Sequence, residues 1–215
     1  MGSTNLDLSI NLLKEYSIDM ITKCENTLKL SMESILEKDR KKAKKVREKD
    51  YEINKLREII RDESIELIAL RQPLAKDLRY IHSISIIANE LERIGDYAVN
   101  IANETLAEDE LINEVNGIYD IYIICKEMIE KLKIAIETEN VDLCHEIAKK
   151  DDLIDELYKK VRTECVKTMN ERQDVINQGI QVLFIARYLE RIGDHITNIC
   201  EKIIYVAQGE VVSIG

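Results

Sequence analysis

From Ser17 onward the chain places Ser17, Ile21, Cys24, Leu28, Ser31 and Ile35 at alternating steps of four and three residues. Such spacing holds small and apolar side chains on one stripe of an α-helix, the seam along which a helix packs in a bundle. It predicts a first helix over Leu8–Leu36, ending where the stripe is lost at Glu37-Lys38-Asp39. A second helix, capped by Asp39, is expected to about Leu70, with the seam Val46, Asp50, Ile53, Leu56, Ile60 and Leu67. Asp50 stands where an apolar residue belongs. Pro73, the only proline, ends that helix and suits the first turn of a third, Leu74–Leu106. After a polar link at Ala107–Glu110, a fourth helix is expected over Leu111–Glu137, with Gly117 weakening its beginning. A fifth, capped by Asn140, runs to Asn170 on the seam Ile147, Asp151, Ile154, Leu157 and Val161. The sixth spans Asp174–Gln208, with Gly209 as its stop.

The second half of this pattern repeats the first. Leu91-Glu92-Arg93-Ile94-Gly95-Asp96 returns as Leu189-Glu190-Arg191-Ile192-Gly193-Asp194, a shift of 190 − 92 = 98. Ala88, Asn100 and Ile101 match Ala186, Asn198 and Ile199 at the same shift. Lys49-Asp50, Ile53 and Leu56 match Lys150-Asp151, Ile154 and Leu157 at 151 − 50 = 101, so three residues are missing from the second half at the turn that holds Pro73 in the first. Length changes confined to a loop between helices in register describe two homologous three-helix bundles. The fold class is therefore all-α, two tandem pseudo-symmetric three-helix bundles of long helices. The bundles are expected over residues 5–107 and 108–210 and are drawn as independent units.

Composition narrows the function. The chain has 215 residues, 7 Gly, no Trp and a single Phe, which leaves helix as the sensible class. A net charge of −10 opposes wrapping of nucleic acid and favours cations. No apolar run is long enough to span a membrane, and no basic-then-apolar leader opens the chain, so a cytoplasmic protein is expected. Cys24, Cys125, Cys144, Cys165 and Cys200 form no CxxC pair and read as small core residues in a reducing compartment. The basic run Arg40–Arg47 reads either as a solvated first turn or as a patch for anionic lipid or an acidic partner.

The chemistry lies in the carboxylates. Glu92 and Asp96 sit one turn apart at the border of the apolar face of the third helix, and Glu190 and Asp194 do the same in the sixth. Without Lys or Arg in the same row, such a pair raises its own pKa or attracts a cation. Asp50 on the preceding helix, or Asp151 and Asp155 in the second half, adds donors. Oxygen donors of this kind suit magnesium, calcium, manganese or iron, whereas zinc usually wants His or Cys. The opposing reading has Arg93 and Arg191 fold over the carboxylates, with Gly95 and Gly193 serving close helix packing. His82, His145 and His195 share no repeat position, and no Glu-x-x-His occurs, which argues against a di-iron bundle enzyme. No phosphate loop or nucleophile motif is present, so no catalytic residue is assigned.

These residues resemble the PhoU family of phosphate-uptake regulators. Arg71-Gln72-Pro73-Leu74-Ala75-Lys76-Asp77-Leu78-Arg79 is similar to its RQP-x-A-x-DLR turn, and the two Glu-Arg-Ile-Gly-Asp helices, the second followed by Asn198-Ile199-Cys200-Glu201, are similar to its paired motifs. The resemblance implies a cytoplasmic, non-enzymatic homodimer that contacts the ATPase subunit of a phosphate ABC transporter and a phosphate-sensing histidine kinase. It also implies repression of the starvation response when phosphate is plentiful, with membrane association only through partners. Some members hold metal clusters, which on this chain implies a divalent or trivalent ion (iron, manganese, magnesium, zinc or calcium) at Asp50, Glu92 and Asp96 and at Asp151, Asp155, Glu190 and Asp194. Asn54 stands where Asp155 does, so the first site is one carboxylate poorer, and metal confined to one bundle is expected in the second.

Overall fold

The computed structural model describes residues 5–107 and 117–215. The helices are α1 (Asn5–Leu36), α2 (Arg40–Arg71), α3 (Ala75–Ala107), α4 (Ile118–Thr138), α5 (Val141–Glu171) and α6 (Ile176–Gln208), with a 3-10 turn at Gln173–Val175. No strand occurs among the described residues. The first seam is buried as the spacing predicts, with Ile21 and Cys24 fully enclosed. The buried Ser17 and Ser31 hydroxyls donate back to the Leu13 and Leu28 carbonyls at 2.8 Å, which satisfies them without a cross-helix partner.

Local chemistry sets the helix ends. Asp39 accepts the backbone N–H of Lys41 and of Lys42, and Asn140 accepts that of Leu143. Gln72 closes α2 in the left-handed region at φ 48°, with Pro73 immediately beyond it. Gly209 closes α6 at φ 80°, as expected. The missing three residues are visible: the 3-10 turn at 173–175 stands where α3 has its first turn. Ala107 ends α3 rather than opening the polar link; the rest of that link and the expected start of α4 at Leu111 fall outside the described residues. Behind Gly117, at φ 117°, the described helix begins at Ile118.

Within each half all three helices pack on one another, and the halves meet along α3 against α6 and α1 against α4. Among the described residues, the outer helices α2 and α5 pack only on their own half. One apolar core runs continuously through both halves, from Leu13 through Ile94 to Ile204. The two bundles therefore share a core, with the apolar faces of α3 and α6 covering each other.

The α3–α6 seam also shows the pseudo-twofold. Tyr97 and His195, equivalent at 97 + 98 = 195, lie ring to ring at 5.5 Å. Glu90 Oε2 is 2.7 Å from His195 Nδ1 and accepts a hydrogen bond from Asn198 at 3.1 Å. The equivalent contact, 188 − 98 = 90, pairs Tyr188 with Tyr97 at 6.0 Å. One side of the axis is thus polar and the other aromatic. Burial would raise the Glu90 pKa, but His195 and Asn198 outweigh it and hold the carboxyl below its ordinary value.

Candidate functional site

The glycine of the repeated motif is a seat for the core-edge aspartate. A Cβ on Gly95 would lie 2.7 Å from Asp50 Oδ1 and 3.1 Å from Ile53 Cδ1. On Gly193 it would meet Asp151 Oδ1, and Ile154 Cδ1 at 3.0 Å. A carboxylate therefore presses against the helix backbone where any other residue would exclude it, in both halves. The sequence offered the glycines as packing residues and the aspartates as ligands; the structure makes each pair one feature. Close by, the Cys24 and Cys125 thiols donate to the Leu91 and Leu189 carbonyls at 3.2 and 3.4 Å, another matched pair.

Asp50 Oδ1 and Asp151 Oδ1 are buried without a hydrogen-bond partner. Their other oxygens are served differently. Asn54 Nδ2 donates to Asp50 Oδ2 at 2.9 Å, whereas Thr197 Oγ1 donates to Asp151 Oδ2 at 3.3 Å. Burial pushes the Asp50 carboxyl up to about 6, aided by the charges of Asp96 and Glu92 and opposed by Asn54. Burial likewise pushes Asp151 up to about 7, with Asp194, Asp155 and Glu190 adding repulsion and Thr197 opposing. Asp50 thus shares its field with Glu92 and Asp96, and Asp151 with Asp155, Glu190 and Asp194. Asp155 itself is half-buried and lies 3.6 Å from Lys159.

Guanidinium groups complete the arrangement. Arg93 spans its neighbours, Nε 3.6 Å from Glu92 Oε2 and Nη1 3.2 Å from Asp96 Oδ2. Arg191 does the same, at 3.7 Å from Glu190 and 2.7 Å from Asp194. Arg57 adds a longer contact to Glu92 at 3.9 Å. Arg187 pairs with Glu190, which is buried, deeper than the border position expected for it, and whose Oε2 has the 3.7 Å Arg191 contact but no hydrogen bond. Burial and Asp194 raise the Glu190 carboxyl above its ordinary range despite both arginines.

The donors fit a hard cation in kind: all are oxygens, and three of them are buried without a hydrogen bond. Their present placement does not gather them, for among the described residues no three His, Cys, Asp or Glu side chains are clustered closely enough to hold a metal ion. Arg93 and Arg191 instead pair with the carboxylates of their own helix. The second site opens into a cavity of 380 Å³ lined by Asp151, Arg191, Asp194, Thr197, Glu201 and Gly215, among others. The segment beyond Gly209 returns across it, the Ile214 N–H donating to Glu201 Oε1 at 3.2 Å. Nothing in the periodicity announced that return, since the segment carries no helical stripe.

The duplicated Gly–Asp seat, with its flanking Glu-Arg-Ile and Asp, is what a repeated sequence motif must encode, and the sequence model described as "PhoU domain" matches twice, at residues 18–105 and 118–203. The chain belongs to the PhoU family. A relative from Clostridium acetobutylicum, named "Phosphate-specific transport system accessory protein PhoU homolog", is 37% identical over 86% of this chain and 85% of its own. The homolog 1 of Thermotoga maritima is 33% identical over 96% of this chain and 90% of its own. Among solved structures, PhoU of Streptococcus pneumoniae superposes with a TM-score of 0.90 at 30% identity, covering 97% of this chain and 99% of the other. PhoU of Pseudomonas aeruginosa does so at 0.91 and 30%, covering 96% and 100%. The two PhoU domain matches bracket the two Gly–Asp seats.

Half of the basic run is engaged within the fold, while Lys41, Lys44 and Lys45 are exposed. Lys42 pairs with Glu33 and Glu37, and Arg47 donates to Asn103. Arg40 reaches the Leu106 carbonyl, while Ala43 and Val46 are buried. No helix of the described residues is long and apolar enough to cross a membrane.

Proposed function

We propose that this chain is a non-enzymatic regulator of phosphate uptake. It acts as a cytoplasmic homodimer on the ATPase subunit of a phosphate ABC transporter and on a sensor histidine kinase, and represses the starvation response when phosphate is plentiful. The observation that carries the reading is family membership over both halves, with relatives named as accessory proteins of phosphate-specific transport. Capture of partners from cells grown with and without phosphate tests it. Recovery of the transporter ATPase or the kinase is expected, and recovery of neither under both conditions would count decisively against it.

Each half would hold a cation through its carboxylates: Asp50, Glu92 and Asp96 in one, Asp151, Asp155, Glu190 and Asp194 in the other. A bound ion would supply the positive charge that now comes from Arg93 and Arg191. The chain's own part is to hold Asp50 and Asp151 against glycine, and to let the arginines swing outward. Protein prepared without chelator should contain metal, more in the second half. Added manganese, magnesium or iron should raise the melting temperature by mass action.

A second reading is favoured by the ion pairs themselves: the arginines permanently neutralise the carboxylates and the sites are structural. Arg191→Gln separates the two. It should strengthen metal binding if the guanidinium competes with the ion, and merely destabilise the protein if it is the intended partner.

A further inference from the structure

Beyond Gly209 the chain carries no helix, yet residues 210–215 lie in a defined path across the second half. Val211, Ser213 and Gly215 are exposed, whereas Val212 and Ile214 are half-buried and pack on the core. This alternation is that of an extended segment with one apolar edge. Val212 lines the groove between α3 and α6 together with His82 and Tyr205. Ile214 lines a hollow on α5 with His145, Ala148 and Asp152. The segment therefore crosses α6 from its α3 side to its α5 side.

That crossing takes it over the second set of carboxylates. Ser213 and Gly215 line the 380 Å³ cavity together with Asp151, Asp194, Thr197 and Glu201. A Cβ on Gly215 would lie 2.9 Å from Thr197 Cγ2 and 3.9 Å from Asp151 Oδ2, so the backbone there rests against the residue that hydrogen-bonds Asp151. The hold is slight. Among the described residues the segment makes no backbone–backbone hydrogen bond beyond that of Gly209, and its polar anchor is the Ile214 N–H on Glu201 Oε1. A stretch held by two half-buried side chains and one such bond opens far more readily than the helices beneath it. Glu201 holds two positions at once, anchoring the segment and facing the cavity. Its equivalent in the first half, 201 − 98 = 103, is the uncharged Asn103, which Arg47 engages.

We propose that residues 210–215 are a strap that controls entry of a divalent cation to the second acidic cavity, with Glu201 as its latch. This rests on the reading of the carboxylates as cation donors. Closed, the strap narrows the approach to Asp151 and Thr197. Open, it widens that approach and releases the Glu201 carboxylate from Ile214. Entry through a state that is populated only in part is slowed by that fraction, and departure is slowed in the same way while the latch holds. None of residues 210–215 belongs to the carboxylate set, so replacing them leaves the donors in place.

The test compares the full chain with the double variant Val212→Ser/Ile214→Ser, first without metal and then with manganese. Without metal, carbodiimide coupling of carboxyl groups to a small amine is followed by peptide mass spectrometry, with Asp50 and Asp96 of the first half as internal controls. Coupling at Asp151 and Asp194 should rise by roughly tenfold in the double variant, the change in open population that losing two half-buried apolar side chains gives. Circular dichroism and the controls should not move. Glu201→Ala should raise coupling as well, and Glu201→Gln, which keeps an acceptor for the Ile214 N–H, should not. Manganese is then loaded in a Glu92→Gln/Asp96→Asn background that leaves only the second set intact. Its release to excess chelator should quicken by a similar factor in the double variant, without loss of content. Coupling at the wild-type rate in the folded double variant overturns the proposal, as does a rise shared equally by Asp50 and Asp96. Faster coupling with unchanged manganese release also overturns it, because the cation then enters by another path. A chain that takes up no manganese fails the cation reading instead, and the coupling rates still decide the strap.

Discussion

Asp151→Asn is the sharpest test of how the motif glycine and the core-edge aspartate work together. Asn keeps the shape of the side chain against Gly193 and removes the charge. The carboxyl is pushed from its ordinary 3.8 up to about 7, chiefly by burial and by Asp194. Each unit corresponds to ~1.4 kcal/mol, so the full shift would be worth roughly 4 kcal/mol in a sealed site. The carboxyl is only partly buried, and solvent screening reduces this to on the order of 1–2 kcal/mol. The sign follows from proton binding. Between about pH 4 and pH 7 the unfolded chain has lost this proton and the folded one keeps it, so the stabilisation present at low pH is lost as pH rises through 7. Chelator-treated wild type and variant should therefore be similarly stable at pH 4.5, while at pH 8 the variant should be more stable by that amount. For a chain of this size that is a few degrees in melting temperature. Urea or thermal unfolding at both pH values, with metal excluded, measures it. A difference between the proteins that is the same at pH 4.5 and pH 8, or a variant less stable at pH 8, would refute the reasoning. Asp50→Asn should show the same trend more weakly, with its window closing near pH 6.

The glycine side of the pair is tested by Gly193→Ala. Alanine favours the helix by about 1 kcal/mol, yet its Cβ meets Asp151 Oδ1 and Ile154 Cδ1, so net destabilisation of about 1–3 kcal/mol is expected. Adding Asp151→Ala should recover most of it in a double-mutant cycle, and strict additivity would contradict the seat. The five cysteines are free and buried. Burial raises the thiols of Cys24, Cys125 and Cys165, so titration with a thiol reagent should show negligible reaction in the native protein and all five groups in urea.

Much of the architecture was legible in the sequence. Spacing along α1, α2 and α5 selected residues that are buried, because a helix with one apolar stripe has only one way to lie in a bundle. Asp39 and Asn140 read correctly as caps, since capping depends on a side chain and the next two or three backbone N–H groups. The repeat at shifts of 101 and 98 yielded the two halves and the turn where they differ in length. It also drew attention to Asp50 and Asp151 as misfits on their seams. All of this is local or periodic, and the chain carries such information in order.

Only the tertiary structure decided what faces what. That Gly95 exists to admit Asp50 depends on the distance between α2 and α3, which no spacing within either helix contains. The joining of the two halves through one core and the Glu90–His195 contact set against Tyr188–Tyr97 both depend on residues some ninety to a hundred positions apart. Arg93 and Arg191 could be named as competitors for the carboxylates from sequence, but rotamer and neighbouring charge placed them there. The sequence specifies each helix and its seam; packing of one helix on another decides which side chains share a site, because that depends on distances across the bundle and not along the chain.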